Sequence, residues 1–332
     1  MADYTKYNTG LDPDWLEFEK TFQVPALPKD LAVAKQIFNE KRAALFHKVL
    51  GPVNGVSTTD VSIPTQDGQS LPARLYFPDT RELLTTLLPV YVYLHGGGYL
   101  FGSVETEDMH CRLICLGASC IVLNVGYRHT PEWTFPTPFQ DLFDSVDWIT
   151  DSSRVKEYGC DLKKVVLGGV SCGATMSLAA AQREIEMGTK RISGLNLSLP
   201  SAVTRPRFPR HLVKDGYTSY EQNEHAPLLP VVRLQSLQAL LKADPDSPYL
   251  STLLLPDSTL QQFPRAAFHI CGADPIRDGG LLLEEKLRNL GIPTHLEVYD
   301  GWPHAFWNQP QLKKAAEYRE RLVDDANWLF RN

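Results

Sequence analysis

The sequence lacks the long runs of one residue type that mark membrane and nucleic-acid-binding proteins. No apolar run approaches the ~18 residues of a membrane span. Lys and Arg (33 residues) are outnumbered by Asp and Glu (39), which gives a net charge of −6 and leaves no basic face for a nucleic acid. The opening residues show neither the basic start nor the apolar stretch of a secretory signal. We therefore expect a cytoplasmic protein with no membrane span and no nucleic-acid partner.

Cysteine is scarce, and its spacing does not suggest a disulfide framework. Six cysteines stand mostly in apolar segments, which favours buried, reduced thiols. His110, Cys111 and Cys115 have the spacing of half a metal site, but no second pair follows at zinc-finger distance. Their segment, MHCRLICLGAS, is typical of a core helix. We therefore predict no metal site.

The apolar segments indicate an α/β fold. After a helical stretch near residues 30–50, the residues around "DGQ" alternate in polarity like an antiparallel hairpin. Continuous apolar runs then alternate with helical patterns, which is typical of parallel strands buried on both faces. The six runs are LPVYVYLH, CIVLNVGY, KVVLGGV, SGLNLSLP, AAFHICGAD and THLEVYDG. Residues 205–262 interrupt this order without a clear strand, and we interpret them as a lid within one domain of residues 1–332.

A glycine-lined turn carries two candidate nucleophiles. Gly169-Val170-Ser171-Cys172-Gly173 satisfies G-x-S-x-G, with an apolar strand pattern before it and an alanine-rich helix pattern after it. Small residues on both sides of the nucleophile allow the strand and the helix to approach each other. Ser171 is centred between the two glycines, whereas Cys172 is not. We therefore predict Ser171 as the nucleophile and the N–H group of Cys172 as an oxyanion donor.

A second glycine loop follows the strand LPVYVYL. His95-Gly96-Gly97-Gly98-Tyr99 exposes consecutive N–H groups without Cβ atoms, so a substrate oxygen can approach them closely. A phosphate cradle is the alternative, but no G-K-[ST] follows and the spacing fits no dinucleotide fingerprint. The loop is therefore predicted to stabilise an oxyanion.

A serine nucleophile needs a base and an orienting acid, which follow such an elbow in the order Asp, then His. Asp274 follows the run AAFHICGA, and His304 follows the run that ends in YDGWP. Asp278 is the main competing acid, and Asp300 is interpreted as a turn residue. Five further histidines are poorer candidates because they belong to the glycine loop, a strand, or helix and lid segments: His47, His95, His211, His225 and His269.

Taken together, these motifs resemble the hormone-sensitive-lipase-type carboxylesterases of the α/β-hydrolase fold. The matching stretches span roughly residues 60–330: HGGGYLFGS, NVGYRHTPEWTFPTPFQD, GGVSCGA, DPDSPYLSTL, CGADPIRD and DGWPHAFW. The opening LDPDWLEFEK suggests the fungal branch. The resemblance implies an α/β-hydrolase fold with a helical cap formed by residues 1–50 and 205–262.

The resemblance also implies roles for individual residues. It makes Ser171 the nucleophile, Asp274 the orienting acid and His304 the base, with an oxyanion hole from the glycine loop and Cys172. It further implies that Tyr127-Arg128 and Pro131-Glu132 support the site's architecture. The elbow departs from the family pattern G-D-S-A-G-G, since Val170 replaces an acid.

The function expected from the sequence is hydrolysis of a small to medium apolar ester through an acyl-enzyme, a reaction that needs no cofactor. A role in secondary metabolism is a further expectation. A biosynthetic acyltransferase, cyclase or lyase could use the same triad, and a receptor-like binding protein is a further alternative. The sequence leaves the physiological substrate and the oligomeric state open, with a homodimer as one option.

Overall fold

The sheet of the protein positions the site. The computed structural model describes residues 1–7, 9–22, 29–80 and 86–331. Its strands there are β1 (Val56–Pro64), β2 (Ser70–Pro78), β3 (Leu88–Leu94), β4 (Ile121–Val125), β5 (Cys160–Val170), β6 (Gly194–Ser198), β7 (Arg265–Ala273) and β8 (Thr294–Pro303). They form one sheet in the order β1-β2-β4-β3-β5-β6-β7-β8. The pairs β1-β2 and β2-β4 are antiparallel and the others are parallel, so the predicted mostly parallel α/β fold is confirmed.

The hydrophobic pattern of each strand matches its place in the sheet. The edge strand β1 exposes most of its residues, including the four consecutive polar residues 57–60. Every residue of the interior strand β4 is buried, as a strand covered on both faces requires. The antiparallel hairpin predicted around "DGQ" is the β1-β2 pair, so this prediction is also confirmed.

Helices cover the sheet. They are α1 (Pro13–Glu19), α2 (Leu31–Leu50), α3 (Asp108–Gly117), α4 (Thr137–Ile149), α5 (Ser153–Tyr158), α6 (Cys172–Glu186), α7 (Ser219–Gln222), α8 (Val231–Leu241), α9 (Asp257–Leu260), α10 (Arg277–Asn289) and α11 (Lys313–Phe330). Short 3-10 turns lie at Thr5–Tyr7, Arg205–Arg207, Arg210–Leu212, Lys214–Gly216, Pro248–Leu250, Thr252–Leu254 and Phe306–Asn308. Helices α3 and α11 pack on each other and on the sheet, and α4 and α6 form a second such pair. No helix of the described ranges combines the length and hydropathy needed to cross a bilayer.

The two segments expected to form a cap are joined by backbone hydrogen bonds. Ala2 N–H donates to Leu212 O at 2.7 Å, and Lys214 N–H donates to Ala2 O at 3.0 Å. Helix α2 of the first segment and helix α8 of the second both contribute side chains to one cavity above the sheet. Residues 8 and 23–28 of the expected cap lie outside the described residues.

One sequence interpretation is wrong. Asp300, expected to be a turn residue, lies within β8. The pairing of β7 with β8 shifts register between Cys271 and Ala273, and it then continues to the pair Ala273 and Pro303. This irregularity extends the strand through a segment whose Asp-Gly sequence is typical of a turn.

Candidate active site

The turn from β5 into α6 has the geometry of a nucleophile elbow. Ser171 stands between the two elements with φ 56° and ψ −115°, a strained conformation for a residue with a Cβ atom. A Cβ atom on Gly169 would lie 2.4 Å from Gly173 C, and one on Gly173 would lie 2.3 Å from Leu94 O. Both glycines are therefore required for the close approach of strand and helix, and the turn projects the Ser171 side chain into the cavity.

The structure brings Ser171, Asp274 and His304 together. His304 Nε2 lies 3.1 Å from Ser171 Oγ, and His304 Nδ1 lies 2.7 Å from Asp274 Oδ2. Asp274 follows β7, His304 follows β8, and both side chains are buried. An Nδ1–H that donates to Asp274 leaves Nε2 as the acceptor for the Ser171 hydroxyl proton.

The backbone holds the carboxylate of Asp274 in place. Ile276 N–H donates to Asp274 Oδ1 at 3.1 Å, so one oxygen binds the backbone and the other binds the imidazole. Asn223 Nδ2 also donates to the carbonyl oxygen of Asp274 at 3.2 Å, which ties this turn to the segment after α7.

The competing acids have other partners. Asp278 Oδ1 lies 2.8 Å from Arg277 Nε, and its other oxygen accepts from Ser219 N–H at 2.7 Å. Asp300 Oδ1 accepts a long bond of 3.4 Å from Thr9 Oγ1. Neither carboxylate is within hydrogen-bonding distance of His304 in the described residues, so Asp274 is the acid that the structure places at the imidazole.

The glycine loop after β3 lines the same cavity as Ser171. Gly97 and Gly98 have φ of 124° and 63°, and a Cβ atom on Gly97 would lie 2.2 Å from Phe101 O. Phe101 N–H donates to Gly97 O at 3.0 Å and closes the turn. Gly96 lies against the elbow, since a Cβ atom there would lie 3.0 Å from Val170 O. The loop is thus a tight turn that requires glycine, and it packs on the strand that leads into Ser171.

Cys172 is the first residue of α6, and its thiol is buried beneath the glycine loop. Its Sγ accepts from Tyr99 N–H at 3.4 Å and lies 3.5 Å from Tyr127 Oη. Burial raises the pKa of the Cys172 thiol, so the protonated form is favoured. The thiol is therefore a packing group, and the prediction that Ser171 rather than Cys172 is the candidate nucleophile agrees with its environment.

A buried ring pair supports the loop from below. Tyr127 Oη donates to His95 O at 2.9 Å, and the two rings stack with their centroids 4.2 Å apart. Burial lowers the pKa of His95 to about 4, so this imidazole is neutral near pH 7. Arg128 Nε lies 3.0 Å from the buried Asp141 carboxylate and fixes the segment that carries Tyr127. The sequence predicted His95 only as a member of the glycine loop, without this supporting role.

The site opens into a cavity of about 550 Å³ with mostly apolar walls. Leu234, Leu237 and Leu241 of α8 form one wall, as the leucine-rich sequence of this segment suggested. Phe38 and Leu45 of α2 also line the cavity, although the sequence pattern did not point to these two residues. The apolar residues of α2 are spread around the helix rather than gathered on one face, so its sequence carries no clear signal for that wall.

The segment whose spacing resembled half a metal site, with His110, Cys111 and Cys115, forms other contacts in the structure. His110 Nδ1 lies 3.2 Å from Glu107 Oε2, and Glu107 also pairs with Arg42 and accepts from Tyr93 Oη at 2.8 Å. Burial raises the pKa of the Cys111 thiol. The described part of the chain has no group of three His, Cys, Asp or Glu side chains placed to hold a metal ion.

Comparison with known proteins decides the family. Residues 91–308 match the family described as alpha/beta hydrolase fold. The chain belongs to this family. It is 30% identical over 314 residues to versiconal hemiacetal acetate esterase of Aspergillus parasiticus. The aligned region covers 93% of this chain and 94% of that protein.

Two solved structures of the α/β-hydrolase family share the fold over nearly the whole chain. An esterase of Pyrobaculum calidifontis is 25% identical with a TM-score of 0.81, covering 96% of this chain and 99% of that chain. A vibralactone cyclase is 27% identical with a TM-score of 0.87, covering 97% and 95%. The predicted resemblance to hormone-sensitive-lipase-type carboxylesterases is confirmed, and the chain is a carboxylesterase-type α/β-hydrolase.

Proposed function

We propose that this hydrolase cleaves a small to medium apolar carboxylic ester through an acyl-enzyme on Ser171. The supporting observation is the continuous chain of contacts from Asp274 through His304 to Ser171 at the floor of the cavity. No metal or cofactor takes part in the steps below.

In the acylation step, Ser171 Oγ attacks the ester carbonyl carbon while His304 Nε2 takes the hydroxyl proton. Asp274 holds the imidazole in the required tautomer and stabilises the imidazolium that forms. The imidazolium then gives its proton to the alkoxide oxygen as the ester C–O bond breaks, and the alcohol leaves. The acyl group remains bound to Ser171 Oγ as an ester.

The negative charge on the carbonyl oxygen needs N–H donors during this step. We assign them to the glycine loop, Gly96, Gly97 and Gly98, together with Cys172 at the start of α6. Such a donor typically contributes about 3–4 kcal/mol to transition-state binding. Water, activated by His304, then attacks the acyl carbonyl, and the acid and free Ser171 are released.

We assign the role of a cap to residues 1–50 and 205–262, as parts of one domain. The bonds between Ala2 and residues 212 and 214 support this assignment, as do the cavity walls from α2 and α8. Their apolar side chains favour an apolar acyl or alcohol group. A cytoplasmic location, a role in secondary metabolism and a homodimer stay predictions.

The first experiment measures p-nitrophenol release from the acetyl, butyryl and octanoyl esters. We expect turnover by the wild type, and a loss of at least about 10⁴-fold in kcat in Ser171→Ala. The matched control is Ser177→Ala, because Ser177 is on the same helix, bonds to Gly173 O at 2.9 Å and lies outside the cavity wall. Equal losses in both variants, or no turnover by the wild type, would contradict the proposal.

Cyclisation is the second candidate, favoured by the mostly apolar cavity and by the structural similarity to a vibralactone cyclase. In that reaction a hydroxyl of the substrate, rather than water, attacks the acyl carbonyl. The test substrate is p-nitrophenyl hydroxyhexanoate in ¹⁸O-labelled water, with products identified by mass spectrometry. Hydroxy acid carrying one ¹⁸O indicates hydrolysis, whereas unlabelled lactone indicates cyclisation.

A further inference from the structure

The Lys and Arg side chains that line the cavity above Ser171 are positively charged, whereas the whole chain has a negative net charge. The chain carries a net charge of −6, yet Lys41, Arg42 and Arg233 line the cavity. None of the described lining residues is Asp or Glu. A cavity with cations and no carboxylate attracts an anionic group, even where its walls are mostly apolar.

Two of these cations have no carboxylate partner among the described residues, and of the two only Arg233 is partly buried. Arg42 pairs with the buried carboxylate of Glu107, and Lys41 is exposed to solvent. Arg233 is partly buried and donates from Nη1 to Leu228 O at 3.2 Å. No carboxylate of the described residues forms an ion pair with it. Its guanidinium therefore has donors left for a ligand.

Arg191, another partly buried arginine, shows the effect of pairing with carboxylates. Arg191 lies 2.7 Å from Asp147 and 2.5 Å from Glu184, and the hydrogen bonds to Glu184 raise its pKa. Burial instead lowers the pKa of Arg233, since no acid offsets the loss of water around the charge. A carboxylate that enters the cavity would supply the missing partner at little extra desolvation cost to the protein.

The position of Arg233 relates it to the candidate catalytic site. A Cβ atom on Gly98 would lie 2.6 Å from Leu237 Cδ1, so Leu237 packs directly on the glycine loop. Arg233 precedes Leu237 by four residues on α8 and lies on the same helix face, about 6 Å along the axis. A substrate chain of about four to six atoms spans that distance.

We propose that the substrate carries a carboxylate in addition to its ester, and that Arg233 binds this carboxylate. The proposal rests on the ester-cleaving function above and specifies its substrate class. A guanidinium matches the two oxygens of a carboxylate in a planar, bidentate arrangement. Arg233 is the partly buried cation of this wall without a carboxylate partner among the described residues, and one guanidinium matches the single charge of a carboxylate.

The test compares charged and neutral substrates of the same shape. The first pair is p-nitrophenyl hydrogen adipate and p-nitrophenyl adipamate, which place the carboxylate or amide on the acyl side. The second pair is p-acetoxybenzoate and p-acetoxybenzamide, which place it on the alcohol side. We expect kcat/KM to favour the carboxylate by about 10-fold or more in at least one pair.

The variants Arg233→Gln and Arg233→Lys identify the cation. In Arg233→Gln the ratio of kcat/KM for the carboxylate over the amide should fall to near 1, and in Arg233→Lys part of it should remain. Arg207→Gln is the control, because Arg207 also belongs to residues 205–262, pairs with Asp246 and does not line the cavity. A ratio near 1 in the wild type for both pairs, or a ratio unchanged in Arg233→Gln, overturns the proposal while ester cleavage itself stands.

A binding measurement keeps this result separate from failure of the esterase proposal. Titration calorimetry of phenylbutyrate and phenylbutyramide into Ser171→Ala protein requires no turnover. We expect tighter binding of the carboxylate, and loss of that preference when Arg233→Gln is added. Equal binding of acid and amide contradicts the inference even if no ester is cleaved.

Discussion

Two histidines, His304 after β8 and His269 within β7, illustrate what separates a proposed catalytic imidazole from a structural one. His304 binds Asp274 through Nδ1 and Ser171 Oγ through Nε2, and it lines the cavity. His269, within β7, also contacts a carboxylate, with its Nε2 3.3 Å from Asp325 Oδ2. Both are histidine–carboxylate pairs on the same part of the sheet, yet their surroundings differ at every other contact.

The second ring nitrogen and the access to the cavity make the difference. His269 Nε2 also lies 3.2 Å from Asn196 Oδ1, and its Nδ1 lies 3.2 Å from Tyr299 Oη, so both nitrogens are occupied by groups of the core. It is 0% exposed, and burial lowers its pKa to about 4. A neutral, buried imidazole of this kind stabilises the core through three polar partners, and no substrate can reach it.

The largest expected effect comes from the carboxylate of the His304 pair. Asp274→Asn should keep the fold but reverse the hydrogen-bond polarity at Nδ1, so that Nε2 carries the proton and cannot accept one from Ser171. We expect kcat for p-nitrophenyl butyrate to fall by about 10⁴-fold.

The matched control for Asp274→Asn is Asp278→Asn, which weakens the buried bond to Arg277. This variant should have a lower unfolding midpoint than the wild type, while its kcat per folded molecule should change little. Loss of kcat in Asp278→Asn comparable to that in Asp274→Asn would mean that the competing acid supports the chemistry.

A smaller effect is expected from the N–H donors, which have no counterpart around His269. Gly97→Ala places a Cβ atom against Phe101 O at a φ of 124° and displaces the loop from the cavity floor. We expect kcat/KM for p-nitrophenyl butyrate to fall by about 10²- to 10³-fold, as for removal of one oxyanion donor. Gly68→Ala, also at positive φ but with open space around it, is the control for backbone strain alone.

The smallest effect concerns stability and comes from His269. Its folded-state pKa of about 4 is below the value of about 6.5 for an unfolded chain, so the unfolded state binds more protons between these pH values. Its contribution to stability is therefore present above pH ~6.5 and is lost as the pH falls toward 4, by up to about 3 kcal/mol.

Urea unfolding of the wild type and His269→Asn between pH 7 and pH 4.5 measures this contribution. The variant should be less stable at pH 7 but lose less stability on acidification. His95 has a similarly lowered pKa and adds a contribution of the same sign in both proteins. Parallel pH profiles for the two proteins would rule out His269 as a source of the acid sensitivity.

The sequence predicted those parts of the site that local backbone geometry determines. The elbow at Ser171 and the loop at Gly97 require glycine at fixed positions, so their sequence patterns reflect steric necessity. Continuous apolar runs likewise identified the buried strands. Asp300 was misinterpreted because the register shift between β7 and β8 depends on pairing with a distant strand.

Features that depend on distant partners were out of reach of the sequence. Glu107 compensates the charge of Arg42 across 65 residues of chain, whereas Arg233 has no such carboxylate among the described residues. Both are arginines within helices, and nothing in their local sequences distinguishes them. Only the folded arrangement shows which cation is free to bind a ligand.

The three site residues are far apart along the chain, so activity depends on complete assembly of the sheet. Ser171 and His304 are 133 residues apart, and Asp274 reaches His304 across 30 residues and a further strand. During synthesis Ser171 emerges from the ribosome well before His304, so the contact between the two side chains forms only when β8 joins the sheet. Under the proposed mechanism an incompletely folded chain cannot hydrolyse an ester, and activity measured in a cell reports only completely folded molecules.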